Sequence, residues 1–339
     1  MARDTVTLAD VARLAGVSQS AVSRSFTDGA SVSEKTRARV LEAAKELGYR
    51  PNRMARAMIT GKSRMIGLVV AYLENQFYPL AIELLSRKLQ EQGYHILLLM
   101  AENSEAGTEE VVRNLLDYGV DGIITASVSI SNDLTARCEG AGIPIVMFNR
   151  TQDDPRLSAV TSDNLAGGRM AANFLVAGGH RKIAHISGWQ GSSTGRDRAK
   201  GFVEALADQG LQPFAVEDGM YDIAHLRDVT RAMFGGVEQP DAVFVGNDHM
   251  AIAAMDVLRF ELGLRVPEDV SVIGYDDVPQ ASWPTYDLTT ISQPVDRMVE
   301  ETVEAVLGRI NGNEDIAHRQ ISGELIIRGS ARKPEVFRP

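Results

Sequence analysis

The sequence predicts an α/β fold in which a small N-terminal bundle of three helices precedes a two-lobed body built on parallel β-sheets. Apolar residues in the first 50 positions recur only at helical spacing. From residue 65 onward, continuous apolar runs typical of buried parallel strands alternate with helical stretches. About ten such runs exceed one modest sheet. The length of 339 residues also suits two or three domains.

Composition restricts the class of protein. The hydrophobic content of 44% and the charged content of 24% are ordinary for a globular chain. Asp4 and Asp10 interrupt the N-terminus, and no stretch approaches the ~18 apolar residues of a membrane span. The single cysteine, Cys138, excludes an internal disulfide framework. We therefore expect a cytoplasmic protein that makes no membrane contact.

Charge is distributed unevenly along the chain. The net charge is −10, but residues 1–64 contain 12 Lys and Arg against 6 Asp and Glu, while the remainder contains 23 against 39. A basic head on an acidic body is expected when only the head meets the phosphates of nucleic acid. A basic head without such a partner is the alternative that charge alone leaves open.

Two short helices near the N-terminus form a predicted helix-turn-helix. Thr7 caps the first helix, over residues 8–15, with Asp10 completing an approximate capping box. Gly16 supplies the left-handed residue that ends this helix, and Ser18 caps the second. The inward faces consist of Leu8, Val11, Ala12 and Ala15 in the first helix and of Ala21, Val22 and Ser25 or Phe26 in the second.

The second helix presents side chains suited to reading DNA. Its outward residues are Gln19, Ser20, Ser23 and Arg24. Glutamine can pair with both N6 and N7 of adenine, and arginine with O6 and N7 of guanine, in the major groove. A third helix starts after Ser33 and ends at Gly48, with a predicted apolar stripe of Val40, Leu41, Ala44 and Leu47. The alternative is a generic three-helix bundle with a solvated polar face.

These motifs, in order, resemble a known family. The run TLADVARLAGVSQSAVSRSF, followed by VSEKTRARVLEAAKELGYRPN and RMARAM, is similar to the head and hinge of the lactose/galactose/purine repressor family. The resemblance continues more loosely over nearly the whole chain. It implies a sequence-specific transcriptional regulator that binds a pseudo-palindromic operator in double-stranded DNA as a homodimer and needs no cofactor. The head residues it assigns to DNA are Thr7, Ser18, Gln19, Ser20, Ser23 and Arg24, with the base-reading positions at Gln19, Ser20 and Arg24.

The segment after the third helix is predicted to be a conditional hinge. Pro51 breaks the helix, and Asn52 can cap the short run RMARAM, which is far below the ~12–15 residues of a marginally stable isolated helix. The resemblance implies that two such hinge helices pair in the minor groove, where Met58 wedges between base steps. It assigns Asn52, Arg53, Ala55 and Met58 to DNA contact. A charged linker is the alternative.

The resemblance also implies that the body has the fold of a type I periplasmic sugar-binding protein. The chain would cross between the lobes near residues 161–163, near residues 291–293 and after residue 321. The predicted organisation is a head at residues 1–50, a hinge and linker at 51–64, an N-lobe at 65–162 with 292–322, and a C-lobe at 163–291 with 323–339.

Aromatic and polar residues follow the predicted strands, where open α/β sheets bind ligands. By motif matching, Arg198 and Asp276 resemble the principal effector contacts of the family. Further pocket positions implied by the resemblance are Tyr78, Thr194, Tyr221, Asn247 and Gln293. Their places after predicted strands add Phe77, Asn149 and Asp163. For any one of these, a role as a loop or helix cap is the alternative.

The effector class and its effect stay open at the level of sequence. A sugar suits the set of polar and aromatic residues, but Arg150, Arg196 and Arg198 together would favour a sugar acid or a phosphate. Both induction and co-repression are compatible with the sequence.

Other protein classes fit poorly. The sequence contains no P-loop and no GxGxxG after the first strand, and His180 and His185 do not have the HExxH spacing. We expect no catalytic or metal site, and Cys138 is predicted to be a buried filler. A transport-type binding protein would need an export signal and no basic head. The C-terminal run lacks leucine heptads, so a dimer is predicted instead of a tetramer.

Overall fold

A computed structural model describes residues 6–27, 29–50, 61–102 and 105–335. The chain separates into two compact units, Met1–Ser63 and Arg64–Pro339, called here the head and the body. The predicted hinge contacts Asn52, Arg53, Ala55 and Met58 lie outside the described residues.

In the described part of the head there are three helices close to their predicted positions: α1 (Leu8–Ala15), α2 (Gln19–Ser25) and α3 (Glu34–Leu47). The Asp10 carboxylate accepts a hydrogen bond from the Thr7 backbone N at 3.0 Å. The hydroxyls of Ser18 and Ser33 accept from the backbone of α2 and α3 at 3.2 Å each, which satisfies amides that a helix start leaves unpaired. Gly16 and Gly48 end their helices with φ of 61° and 66°.

The apolar face of α3 corrects one prediction. Val40 is fully buried in the head core, but Leu41, which was predicted to be buried, is 46% exposed. Ala43, which was not part of the predicted stripe, is buried. Residues 40, 43, 44 and 47 follow one helical face, whereas position 41 is rotated about 100° away from Val40. The predicted stripe was therefore wrong at Leu41.

In the described part of the body, two six-stranded sheets form the core. The first has the order β11-β5-β4-β3-β1-β2 and is parallel throughout, with strands β1 (Met65–Val70), β2 (His95–Met100), β3 (Gly122–Ala126), β4 (Ile145–Phe148), β5 (Ser158–Ser162) and β11 (His318–Ile321). The second has the order β12-β10-β9-β8-β6-β7, with strands β6 (Ile183–Ser187), β7 (Val216–Asp218), β8 (Ala242–Val245), β9 (Ser271–Asp276), β10 (Thr289–Ser292) and β12 (Leu325–Ile326), of which only the β10–β12 pair is antiparallel.

Helices connect the strands and cover the sheets. They are α4 (Phe77–Glu91), α5 (Glu105–Asp117), α6 (Asn132–Gly140), α7 (Asn164–Ala177), α8 (Ser193–Asp208), α9 (Ile223–Phe234), α10 (Asp248–Asp256) and α11 (Val295–Ile310), with a π-helical turn at Val257–Glu261 and a 3-10 turn at Pro279–Ser282. Cys138 is fully buried in α6, and burial raises the pKa of its thiol.

The chain passes between the sheets at the carboxyl ends of three strands. It does so from β5 to α7, from β10 to α11, which packs on the first sheet, and from β11 to β12. At the last crossing, a Cβ on Gly323 would overlap the carbonyl oxygen of Ser292, so the two backbones meet directly. These crossings bring the carboxyl ends of the two sheets together.

One strand departs from the expectation that both faces of each sheet are covered. The apolar strand β2 lies at the edge of the first sheet, where Leu98 is 39% and Met100 48% exposed. As the end strand it is only partly covered by the flanking helices, and its sequence alone did not distinguish it from a central strand.

Candidate functional site

The outward surface of α2 carries the predicted DNA-reading side chains. Gln19, Ser20, Ser23 and Arg24 are all exposed, on the side of the helix opposite the fully buried Val22. The hydroxyl of Ser18 is less available for contact with DNA, because it caps α2 and lies 2.9 Å from the hydroxyl of Ser20. Thr7 is exposed at the start of α1. The head therefore presents one polar helix face of the kind that enters the major groove.

Arg198 and Asp276 form a buried ion pair at the carboxyl ends of the second sheet. Arg198 Nη1 lies 3.5 Å from Asp276 Oδ1, and the side chains are 3% and 2% exposed. Arg198 Nε donates to Asn164 Oδ1 at 2.8 Å, Nη1 donates to the Gly246 carbonyl at 2.6 Å, and the guanidinium stacks 3.5 Å from the centre of the Tyr275 ring. These contacts fix the guanidinium in one orientation.

The Asp276 carboxylate is held by amides from distant parts of the chain. It accepts hydrogen bonds from Asn75 Nδ2 at 2.8 Å and from Gln293 Nε2 at 2.6 Å. Burial raises the pKa of Asp276, while the charge of Arg198 and the two amides oppose that rise. Asp276 also has a φ of 123°, a value that L-residues rarely adopt. Its neighbour Asp277 points elsewhere and pairs with Arg328 at 2.7 Å.

A second group of side chains comes from the segments that follow the strands of the first sheet, and it forms one wall of the site. Asn149, whose φ is 68°, donates from Nδ2 to the Tyr78 hydroxyl at 3.1 Å, and the Ser127 hydroxyl also donates to it. Tyr72 packs edge-on against Tyr78 with ring centres 5.3 Å apart. Phe77 stacks on Phe148 in the core. Both rings of the predicted aromatic pair are buried, but only Tyr78 has a hydroxyl that joins the polar group.

The remaining predicted positions form the opposite wall of the site, at the carboxyl ends of the second sheet. The hydroxyls of Thr194 and Tyr221 lie 3.3 Å apart. The Tyr221 ring fills the space above Gly188, where a Cβ would overlap it. Asp163 and Asn247 each cap a helix, accepting from the backbone of α7 at 3.0 Å and of α10 at 2.8 Å. The capping role considered for strand-end residues therefore applies to these two.

Arg150 lies beside a cavity of about 410 Å³ where the two walls meet. The Thr151 backbone N donates to Ser193 Oγ at 3.0 Å across this meeting point. Arg150 is 4% exposed, donates from Nη1 to the Ser127 carbonyl at 2.8 Å and lies 5.9 Å from the Trp189 ring. The cavity lining includes Arg150, Asp153, Trp189, Ser192, Ser193 and Arg196.

Sequence reasoning missed several members of this site. Tyr72, Asn75 and Ser127 were not singled out, although each follows a strand of the first sheet, and Trp189 was overlooked two residues after β6. The position after a strand was an available signal for these four. The partners of Asn75, Ser127 and Trp189 are far away in sequence, and this is why the signal was not decisive.

The arrangement is suited to binding a small polar molecule. Two buried acceptors, Asn149 Oδ1 and Gln293 Oε1, have no hydrogen-bond partner among the described residues. Within the same residues there is no group of three or more His, Cys, Asp or Glu placed to hold a metal ion. None of the described helices is long and apolar enough to cross a membrane.

A helix-turn-helix head joined to a two-sheet body with a buried polar cleft defines a DNA-binding regulator with a ligand-binding domain. Comparison with known proteins agrees: residues 7–52 match the model of bacterial regulatory proteins of the lacI family, and residues 150–331 match a periplasmic binding protein-like domain. The chain belongs to the lacI family, whose members are transcriptional regulators and not enzymes.

Similar proteins cover almost the whole chain. The ribose operon repressor of Escherichia coli (strain K12) is 34% identical over 331 residues, which is 96% of this chain and 99% of that protein. The transcriptional repressor PurR of Aliivibrio salmonicida (strain LFI1238) is 31% identical over 334 residues, with 96% and 99% coverage. The crystal structure of the Lac repressor dimer bound to operator and the anti-inducer ONPF has 30% identity, a TM-score of 0.87 and coverage of 96% and 99%.

Proposed function

We propose that this DNA-binding transcriptional regulator is a repressor of a catabolic or metabolic operon, controlled by a sugar or sugar derivative bound in the cleft between its two sheets. The observation that carries the proposal is the buried Arg198–Asp276 pair, which is surrounded by tyrosines, amides and hydroxyls. Such a set can pair with hydroxyl groups and stack on the apolar face of a sugar ring. A relative at 33% identity is the regulator CelR in complex with cellobiose, which supports a carbohydrate ligand.

We further propose that a homodimer binds a pseudo-palindromic operator in the cytoplasm. The similarity to the operator-bound Lac repressor dimer supports this assembly. Gln19, Ser20 and Arg24 would read bases in each half-site, with Thr7, Ser18 and Ser23 nearby. The proposal also includes hinge contacts with DNA by Asn52, Arg53, Ala55 and Met58. It places the boundaries between the lobes near residues 162, 291 and 322.

In the proposed mechanism the effector changes how the two lobes sit relative to each other, and this changes the spacing of the paired hinges on DNA. Linkage is reciprocal: a ligand that weakens operator binding is itself bound less tightly by the DNA complex, and a ligand that strengthens it is bound more tightly. The sign of this coupling separates induction from co-repression.

The test begins with DNA, because no operator sequence can be borrowed from relatives. Full-length protein is used to select binders from a pool of random-sequence duplexes. We expect an enriched inverted repeat, because a two-fold dimer requires two related half-sites. Gln19→Ala should relax the preference at one base pair in each half-site, by about 1–3 kcal/mol per position. Selection of no symmetric sequence would contradict the proposed function.

The second step screens effectors by thermal shift. A ligand that binds only the native state raises the melting temperature. Each sugar that does so is then added to the complex of protein and selected DNA, where we expect a change in affinity. A sugar that raises the melting temperature of the wild type and of Arg198→Ala equally would contradict the assignment of the cleft.

A further inference from the structure

We propose that the effector is a polyhydroxylated acid whose carboxylate or phosphate is held by Arg150, in the cavity where the two walls of the cleft meet. This inference rests on the proposed function, because it names the chemical class of ligand for the same cleft. Three features of the described residues support it: the charge balance of the two buried arginines, the donors around the cavity, and two unpaired acceptors among the other predicted cleft residues.

The two buried arginines differ in how their charges are balanced. Arg198 is paired with the Asp276 carboxylate at 3.5 Å. Arg150 is equally buried, yet among the described residues no carboxylate lies within ion-pair distance of it, and its Nε has no hydrogen-bond partner. Arg150 donates a hydrogen bond to the Ser127 carbonyl and faces the Trp189 ring. A buried guanidinium without a counter-charge is costly, so an anionic ligand would be strongly favoured there.

The cavity beside Arg150 offers further positive character. Ser192 and Ser193 line it at the N-terminus of the 16-residue helix α8, the end at which a helix attracts negative charge. Arg196, one turn into the helix, is exposed at the rim and donates to the Gly191 carbonyl at 3.1 Å. Asp153, also exposed, is the one acidic residue in the described lining, which therefore carries more positive than negative charge.

Unpaired acceptors among the other predicted cleft residues specify the rest of the ligand. Asn149 and Gln293 are 4% and 5% exposed, and each has a side-chain oxygen without a partner among the described residues. Hydroxyl groups would satisfy these oxygens. A neutral sugar would leave Arg150 without a counter-charge, and a bare anion would leave the two acceptors unpaired. A molecule with hydroxyls and one acidic group meets both requirements.

The first experiment probes the anion subsite with inorganic phosphate and full-length protein. At about 20 mM, phosphate should raise the melting temperature above that in chloride of equal ionic strength, through binding linkage. Arg150→Gln should abolish this difference, and Arg150→Lys should restore part of it. Arg181→Gln is the matched control, because Arg181 bonds to backbone carbonyls well outside the cavity. A phosphate effect that is absent in wild type, or unchanged in Arg150→Gln, overturns the proposal.

The second experiment compares each neutral aldose with its aldonate and its phosphate ester of the same stereochemistry, by calorimetry. We expect one of the acids to bind at least about tenfold more tightly than its neutral counterpart, with the difference lost in Arg150→Gln. Preference for the aldonate identifies a sugar acid, and preference for the ester a sugar phosphate. If Arg150→Gln does not fold, Arg196→Gln at the exposed rim should reduce the preference.

The two proposals fail in different ways. A neutral sugar that binds as tightly as its acid and changes operator affinity retains the proposed function and overturns the anionic class. A phosphate effect that depends on Arg150, combined with no effect of any cleft ligand on operator binding, retains the subsite and contradicts the proposed regulation.

Discussion

Asp276, the buried partner of Arg198, also accepts a hydrogen bond from Asn75. Asn75 lies 201 positions away in the chain, on the loop that follows β1 of the first sheet. Gln293, at a crossing between the sheets, donates to the same carboxylate at 2.6 Å. One carboxylate therefore connects α8, the first sheet and a crossing strand. A ligand that replaces any of these contacts changes the connection between the two halves of the body.

Replacing Arg198 should separate stability and effector response from DNA binding. Arg198→Ala leaves Asp276 buried without its counter-charge, for which we expect a loss of about 3–5 kcal/mol in the free energy of unfolding. The effector response should disappear, while operator affinity without effector is retained because the head is a separate unit. Urea denaturation and titration of operator DNA measure the two effects.

A double variant isolates the charge pair from the other contacts of Arg198. Adding Asp276→Asn to Arg198→Ala removes the stranded carboxylate, so the double variant should lose less stability than the sum of the single variants. Additive losses would show that the ion pair contributes little, and effector affinity equal to wild type in Arg198→Ala would show that the cleft is assigned wrongly.

Asp248 should lower the stability of the body as the pH rises. Burial, together with the charge of Asp276, raises the pKa of Asp248 to about 7. Below the ordinary value of 3.8 both folded and unfolded chains are protonated. Between there and about pH 7 only the unfolded chain ionises, so stability falls with rising pH, and above about 7 the penalty is complete. Asp248→Asn removes this titration while its side chain can still bond to Val278 N and the Thr290 hydroxyl.

The measurement is urea denaturation of both proteins over a series of pH values. Between pH 5 and pH 8, the free energy of unfolding of Asp248→Asn should rise relative to that of wild type by about 2–3 kcal/mol, at ~1.4 kcal/mol per pKa unit. A difference between the two proteins that is the same at every pH would contradict the proposed titration of Asp248.

His185 should act in the opposite direction over the same range. It is enclosed by Phe202 and Phe244, its Nδ1–H donates to the Phe244 carbonyl at 2.8 Å, and burial lowers its pKa to about 4. As the pH falls below about 6.5 the unfolded chain takes up a proton that the folded chain does not, so stability is lost until about pH 4. Between pH 7.5 and pH 5, His185→Phe should lose about 2 kcal/mol less than wild type in the same denaturation series. An equal loss would show that His185 is protonated in the folded state.

The head was predictable from sequence nearly residue by residue because its signals are local. A cap and a left-handed glycine act within four residues, and helical spacing places Val11, Val22 and Val40 inside. The error at Leu41 arose because the face of a helix that is buried depends on its neighbours. The same limit explains β2, whose position at the sheet edge is a property of the strand order.

The candidate site was predictable only in outline. Strand ends located Arg198, Asp276 and Tyr78 correctly at the carboxyl ends of the sheets, since that rule follows from parallel topology. The rule gave no means of pairing them. That Asn75 bonds to Asp276, and that the buried Tyr78 directs its hydroxyl to Asn149 while Phe77 stacks on Phe148, depends on tertiary contacts that no local pattern encodes.

Gly201 controls the position of Arg198 through the close contact between α7 and α8. A Cβ on Gly201 would overlap the Leu165 carbonyl oxygen, so Gly201→Ala must push the helices apart. We expect a loss of about 1–3 kcal/mol in stability from this overpacking. Since Arg198 lies one turn earlier on α8, effector affinity should fall as well, although Gly201 itself is not assigned to the ligand.

The matched control is Gly140→Ala in α6, where a Cβ meets no neighbour within 4 Å and alanine should be neutral or stabilising. Weaker effector binding in Gly140→Ala as well would indicate a general loss of rigidity, whereas weaker binding in Gly201→Ala alone would show that the spacing of α7 and α8 sets the geometry of the Arg198–Asp276 pair.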